Sequence, residues 1–512
     1  MKIRNTNALR AGVFLAAASL VAPAPARSQQ VAAGAQQTPQ GGAAGQSLKG
    51  AQLKGKVPVN REVLKVNLPK PQEATLKNGL RLLLVESHNA PTFTMQMVVM
   101  SGGLSDPAEK RGRAAAVATL LREGTQTRTS REIAEAFDAL GSTFNAGTGT
   151  SSITTSLSSA GLVENLDRTL DLFADVARNP KFAPEEIEKY KSRLATQLQL
   201  QRSVPGLLAQ AQFNRAVYGE HPAAYLFPSE SAIKGLTRED LAQYHAAYYR
   251  PNNAVLAVLG DVTMKELLPK VERVFGDWRK GDAQAAVAPA VQAQTRSRIF
   301  LIDRPGSVQT TIILGNLAIE RTSPDYFPLL VMNQVLGGDP SSRLFMNLRE
   351  DKGYTYGAYS HFSGSKFPGT VWANADVRTE VTEGALAAFM YELKRIGAEK
   401  VTPTELENAK RAISGGFATA LDFPQSLLSN VVQQQIYGLP ADYWETYPRR
   451  VAAVTAEDVA RVAQKYLNPS AIQIVAVGDA AKTRAVFEKY ATVEVFDTEG
   501  KPVPAGGAKG NN

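Results

Sequence analysis

The chain has 512 residues, enough for two large domains or about three of ~150 residues each. Its 44% apolar and 21% charged composition excludes wholesale disorder, and the complete lack of cysteine excludes a disulfide framework, a thiolate zinc site and a cysteine nucleophile. The net charge of +9 is modest and spread along the chain, with no basic block of the kind that tracks nucleic acid.

The first 26 residues predict an export signal. Lys2, Arg4 and Arg10 form a positive start, Ala11 to Val21 is an apolar run too short to span ~30 Å of hydrocarbon, and Ala22-Pro-Ala-Pro-Ala26 offers small residues to a signal peptidase. Cleavage is expected after Ala26, leaving a periplasmic or secreted mature chain. No other stretch approaches ~18 consecutive apolar residues, so no membrane span is expected. Residues 27–60, rich in Gln, Ala and Gly, cannot bury enough surface to offset their ordering entropy and read as a disordered linker.

The body reads as one unit written twice, over 61–280 and 297–495, with an Ala/Gln/Pro-rich linker at 281–296 and a flexible tail at 496–512. In the first copy, Leu80–Val85 and Thr92–Met100 suggest antiparallel strands, and helical patterns follow at Ile133–Leu140 and Leu162–Ala177. Pro184-Glu-Glu-Ile-Glu opens a long helix. Thr237-Arg-Glu-Asp-Leu-Ala starts another, with a Thr N-cap and an acidic first turn; it stops before Pro251 and leads into the apolar run Ala254–Leu259.

The second copy repeats this order. Arg298–Ile302 and Thr310–Leu314 read as strands, Val381–Ile396 as a helix, and Pro403-Thr-Glu-Leu-Glu as the counterpart of the Pro184 segment. Thr455-Ala-Glu-Asp-Val-Ala repeats the Thr237 segment at a constant offset of 218 residues, again ending before a proline, Pro469, and a strand-like run, Ala471–Val477. Strands grouped together and helices grouped together predict an α+β fold of two homologous domains, each a mainly antiparallel sheet packed against helices.

The landmarks along both copies are Asn78-Gly-Leu80, Gly102-Gly-Leu-Ser-Asp-Pro107, Glu123-Gly-Thr125, Phe182-Ala-Pro-Glu-Glu186, Tyr249-Arg-Pro-Asn252, Leu336-Gly-Gly338, Ser341-Ser-Arg-Leu-Phe345 and Leu348-Arg-Glu through Gly353 to Tyr356. In this succession the chain resembles the pitrilysin/insulinase family of zinc metallopeptidases, which includes the mitochondrial processing peptidase and its bacterial relatives. The resemblance implies a processing-peptidase-like fold and, in active members, an inverted H-x-x-E-H motif with a further glutamate downstream. Histidines four apart share a helix face and bind zinc, and the glutamate between them acts as base. Counted from Gly124-Thr125, the two histidine positions fall on Ala115 and Thr119 and the base on Ala118; counted from Phe182, the downstream ligand falls on Gln197. None of the four can do that work. His88, His221, His245 and His361 are the only histidines, and no two are within helical reach of one another. No metal is expected on this chain, and no cleavage by it alone.

The resemblance also implies an Arg and a Tyr from the second copy that bind substrate backbone and help stabilise the oxyanion; these map onto Arg349 and Tyr356. Ser341 or Ser342 can cap a helix with Leu344, Phe345 and Leu348 on its apolar face, Gly353 can end it, and Tyr354–His361 reads as a strand with Tyr354 and Tyr356 on one face. The bland alternative pairs Arg349 with Glu350 or Asp351 at the surface and buries Tyr356. His361 reads as a bystander, and Asp339-Pro340 stiffens the Gly337-Gly338 loop.

Two functions follow. One is a non-catalytic, substrate-binding subunit that completes the active chamber of a homologous zinc-bearing peptidase acting on unfolded peptides, the zinc lying on that partner. The other is a non-enzymatic scaffold or peptide-binding protein derived from the same family.

Overall fold

The computed structural model describes residues 62–282 and 289–503. The export signal, the 27–60 linker, the centre of the 281–296 connector and the residues from 504 onward lie outside the described residues.

The first half carries strands β1 (Gln72–Thr75), β2 (Arg81–Glu86), β3 (Thr92–Val99), β4 (Asn145–Gly147), β5 (Thr155–Leu162) and β6 (Ala254–Gly260). Its helices are α1 (Arg113–Leu120), α2 (Ser130–Ala139), α3 (Leu166–Arg178), α4 (Pro184–Arg202), α5 (Pro205–Tyr218), α6 (Glu230–Lys234), α7 (Arg238–Tyr248) and α8 (Met264–Phe275). The second half carries β7 (Arg298–Asp303), β8 (Gln309–Leu317), β9 (Thr355–Phe362), β10 (Thr370–Arg378), β11 (Gln473–Gly478) and β12 (Val493–Phe496). Helices α9 (Tyr326–Asn333), α10 (Arg343–Phe345), α11 (Thr382–Ala398), α12 (Pro403–Ala420), α13 (Pro424–Tyr437), α14 (Tyr443–Ala453), α15 (Ala456–Tyr466) and α16 (Ala480–Glu488) belong to it.

Each half folds as a six-stranded sheet, in the orders β1-β2-β6-β3-β5-β4 and β12-β7-β11-β8-β10-β9. The five strands from β2 to β4 and from β7 to β9 follow the same path, so the internal repeat is also a structural one. Most pairings are antiparallel; β2–β6, β7–β11 and β7–β12 are parallel. The runs at 80–85 and 92–100 do run antiparallel, but they do not pair, because β6 lies between them. β6 is apolar and buried on both faces, the signature of an interior strand.

Local chemistry sets the helix starts. Thr237 and Thr455 both close capping boxes, with Asp240 and Asp458, and Thr402 closes one with Glu405, so three orphan N-termini are satisfied by side chains. Pro184 and Pro403 each take the first helical position, where a missing N–H costs nothing. The expected helix at 162–177 begins later, at Leu166. Leu162 ends β5, whose alternating buried residues are a strand pattern that the helical window absorbed.

Two cores lie between each sheet and its own helices. The opposite faces of the sheets are covered by exchange. Phe213, Ala216 and Val217 of α5 pack on Phe300, Ile313 and Val475 of the second sheet, while Leu428 and Val432 of α13 pack on Leu83, Val98 and Val255 of the first. The start of the described chain crosses over too: Val66 and Leu68 pack on the second core rather than on the first. At the other end the chain does not fray at 496; Val503 N–H donates to Val495 O at 2.8 Å, folding the tail back on β12.

Candidate functional site

Helix α1 is built of small residues, with Ala114, Ala116, Val117 and Ala118 buried against its neighbours, α4 and α7 among them. Its N-terminus is held by Asp106, whose carboxylate accepts from Gly112 N–H at 3.0 Å and from Ala114 N–H at 3.1 Å. Burial pushes the Asp106 carboxyl up to about 6, against the pull of those N–H groups and of Arg113. On this helix Ala115 and Thr119 are half-buried and Ala118 is buried, while Gln197 on α4 is exposed. The Thr119 hydroxyl donates to Ala115 O at 2.9 Å, so it is engaged by its own helix. Two methyls, a tied hydroxyl and a neutral amide do not fit Zn²⁺, which takes thiolate, imidazole or carboxylate. The histidines offer no substitute. His221 Nδ1 accepts from Ala223 N–H at 3.0 Å, His245 Nε2 donates to Ala177 O at 2.8 Å, and His88 pairs with Asp261 at 2.6 Å. Among the described residues, no three His, Cys, Asp or Glu side chains converge to hold a metal ion.

The second half builds its site on the turn from α10 to β9. Ser342 occupies the N-cap of α10, but its hydroxyl donates backward to Asp339 O at 2.6 Å instead of capping. Leu344, Phe345 and Leu348 are buried as their spacing predicts. Past Phe345 the helix widens into a π turn over Met346–Asp351, which ends at Gly353 in the left-handed conformation with φ 63°. Tyr354 precedes the strand and packs against the second core, whereas Tyr356 is 84% exposed, so the two tyrosines do not share a face. Tyr354 lies before β9 and need not follow its alternation, and within the strand a bulge sets Tyr356 apart. Thr355 faces Val377 and Ala358 faces Ala375, leaving Tyr356 and Gly357 together opposite Asp376 and turned to the outer face.

Arg349 reaches this bulge. Its Nη1 donates to the Tyr356 carbonyl at 2.8 Å, its guanidinium carbon lies 4.9 Å from the Phe345 ring centre, and Glu350 stands 3.5 Å from its Nε. The structure thus brings Arg349 and Tyr356 together through the main chain, with the phenol free of the core, and it also gives Arg349 the acidic neighbour Glu350. Helix α10 is anchored from behind. Arg343, with a side chain 5% exposed, binds Glu405 of α12 through Nε at 2.6 Å and Nη2 at 3.1 Å. The Gly337 loop is closed down on β9, for a Cβ there would stand 2.2 Å from Ser360 N. Asp339 holds Ser341 and Gln334. Sequence reasoning missed Arg343 and Glu405; the charge in an otherwise apolar helix start was the available signal.

Two helix-backed sheets of matching strand order and an exposed Arg–Tyr turn define a metallopeptidase-like chain. Residues 81–225 match the family model described as insulinase (peptidase family M16), and residues 235–413 match the peptidase M16 inactive domain. The chain belongs to this insulinase, or M16, family of peptidases. It is 27% identical over 357 residues to the uncharacterized zinc protease YmxG of Bacillus subtilis, covering 69% of this chain and 85% of that protein. A further uncharacterized zinc protease, from Rickettsia bellii, is 29% identical over 67% of this chain and 82% of its own length. Among solved structures, a peptidase M16 inactive domain from Pseudomonas fluorescens superposes with a TM-score of 0.75 at 28% identity, covering 80% of this chain and 98% of that one. A protease from Helicobacter pylori shares the fold, with a TM-score of 0.75 at 20% identity over 80% of this chain and all of that one.

Proposed function

We propose that this chain is the non-catalytic, substrate-binding subunit of a heterodimeric zinc metallopeptidase exported to the periplasm. A homologous chain holds the zinc and the nucleophile, and this one completes the chamber and holds unfolded peptide. The observation that carries the reading is the split inventory: Ala115, Ala118, Thr119 and Gln197 offer zinc nothing, while Arg349 reaches from the preceding turn to the bulge that bears the exposed Tyr356. A guanidinium and a phenol can hold a substrate carbonyl and the negative charge that develops on its oxygen, the place where such donors count most. The relatives named as zinc proteases, and the inactive-domain match, support a peptidase context. The positive start and apolar run within residues 1–26, read as an export signal, support the location, and no described helix is long and apolar enough to cross a membrane. A purely structural role gives no reason to hold an 84% exposed phenol on a bulge.

The test is co-expression with a homologue bearing H-x-x-E-H, then a quenched-peptide assay with and without chelator. Cleavage is expected only from the pair. Arg349→Ala in the complex should lower the rate about 10²–10³-fold with zinc content unchanged, as for other oxyanion donors. Full activity in that variant overturns the assignment.

A further inference from the structure

The outer face of the second sheet is only partly roofed. Helix α5 covers β7, β11 and the centre of β8, and its Phe213 ring lies 6.2 Å from Trp372. Beyond Trp372 the face is open. By register, Trp372 stands opposite His361, Asn374 opposite Tyr359, and Asp376 opposite the Tyr356 bulge. His361, Asp376 and Tyr356 are exposed; Trp372, Asn374 and Tyr359 are half-buried. The His361 ring stacks on Trp372 with centroids 4.1 Å apart and planes 29° apart, and its Nε2 donates to Asn374 Oδ1 at 3.1 Å. Desolvation lowers the His361 pKa, against the pull of the Asn374 hydrogen bond. Further along the strand the Tyr359 ring lies over Gly357, where a Cβ would stand 2.7 Å from it, and 5.6 Å from Phe345, which carries Arg349.

The first sheet supplies an internal comparison. Its strand equivalent to β10 is β5, which presents Ser156, Ser158 and Ala160 to the same face, with Gln96 bonded to Ser156. Small residues finish that face in the first sheet. The second sheet instead carries an imidazole stacked on a tryptophan at its open edge, which makes a flat aromatic platform. The platform is continuous with the Arg349–Tyr356 turn. Four strand positions separate Trp372 from Asp376, about 13 Å at ~3.3 Å per residue, the reach of four residues of an extended peptide.

We propose that His361 and Trp372 form a subsite for an aromatic side chain of an extended peptide, about four residues from the peptide group that Arg349 and Tyr356 hold. This names the substrate class of the proposed site and rests on that reading. Ring stacking on a preformed surface supplies the selectivity, and the occupant need not order the platform because Asn374 and Phe213 already do.

The isolated full chain allows a direct test. Trp278 and Trp444 are 6% and 4% exposed, so Trp372 is the tryptophan that a ligand reaches. An unstructured peptide with one Phe, and the same peptide with Ala in its place, are titrated while emission and acrylamide quenching are followed. The Phe peptide should give a saturable change and shield Trp372, and His361→Ala should weaken its binding about 2- to 12-fold, the range of an aromatic pair, with little effect on the Ala peptide. Trp372→Phe should abolish the emission response yet retain binding by calorimetry. Equal binding of the two peptides, a preference for an Arg peptide seated at Asp376, or indifference to His361→Ala overturns the subsite. If Trp372 stays silent while Arg349→Ala still cripples the complex, the subsite alone fails. If Trp372 responds but Arg349→Ala changes nothing, the subsite stands and the paired-peptidase reading fails.

Discussion

The Arg343–Glu405 pair offers the sharpest energetic test, because it fixes α10, the support of Arg349, to α12. Glu405→Gln keeps the shape and the capping bond to Thr402 but removes the charge facing Arg343. Burial works to raise the Glu405 pKa, yet the Arg343 bonds and the Thr402 N–H and hydroxyl outweigh it and hold it at about 2, against an ordinary 4.5. That difference corresponds to about 3 kcal/mol of stability. With the carboxylate side chain 29% exposed, solvent screening trims this to about 2 kcal/mol. Arg343 is the more buried partner, and stranding it independently costs about 3–5 kcal/mol, so a loss of about 2–4 kcal/mol is expected at pH 7. The sign follows from the depressed pKa: the contribution is complete above about pH 4.5 and is lost as the pH falls through about 2. Urea unfolding of the wild type and Glu405→Gln, followed by circular dichroism at pH 7 and pH 3.5, reads both effects. The gap between the two proteins should narrow at the lower pH. In a double-mutant cycle with Arg343→Met, the pair should couple by at least about 1.5 kcal/mol. A single-variant cost below about 0.5 kcal/mol at pH 7, or a gap that ignores pH, refutes the reasoning.

Phe213→Ala should cost about 3–5 kcal/mol in denaturant titration, although Phe213 belongs to the first half and the sheet that loses its cover belongs to the second; Trp372 emission should shift with it. Asp106→Asn should behave in the opposite sense to Glu405. The Asp106 carboxyl is raised to about 6, so its neutral form stabilises below about pH 3.8 and that contribution, up to about 3 kcal/mol, is lost as the pH rises through 6. The Asn variant, which also gives up one of the two oxygens that accept from Gly112 and Ala114 N–H, should therefore compare better with the wild type at pH 7.5 than near pH 4, whereas a difference independent of pH would contradict the burial argument.

The legible features are those that neighbours in the chain decide. Capping residues Thr237, Thr402 and Thr455, the N1 prolines, the left-handed Gly353 and the apolar faces of most helices lie within a few residues of what they control. The side-chain chemistry at Ala115, Ala118, Thr119 and Gln197 needs no structure to read: two methyls, a hydroxyl and an amide. Strand order was not legible, because β6 and β11 arrive from far along the chain and insert between strands that are neighbours in sequence. Nor could amphipathic patterning say that α5 and α13 would serve the opposite sheets; an apolar stripe does not specify its partner. The Tyr354–Tyr356 expectation rested on two-residue alternation, but β9 begins only at Thr355, and an extra residue sets Tyr356 apart from the rest of the strand. His361 reads as a bystander until Trp372 is placed beside it across the strands.

The traded helices tie each half to the other. Deleting the N-terminal copy would remove the hydrophobic lid over Phe300, Ile313 and Val475 and leave the remaining copy with a sticky, water-facing flank. The first half therefore cannot be removed without uncovering the second, because α5 roofs the face of the second sheet that its own helices leave bare.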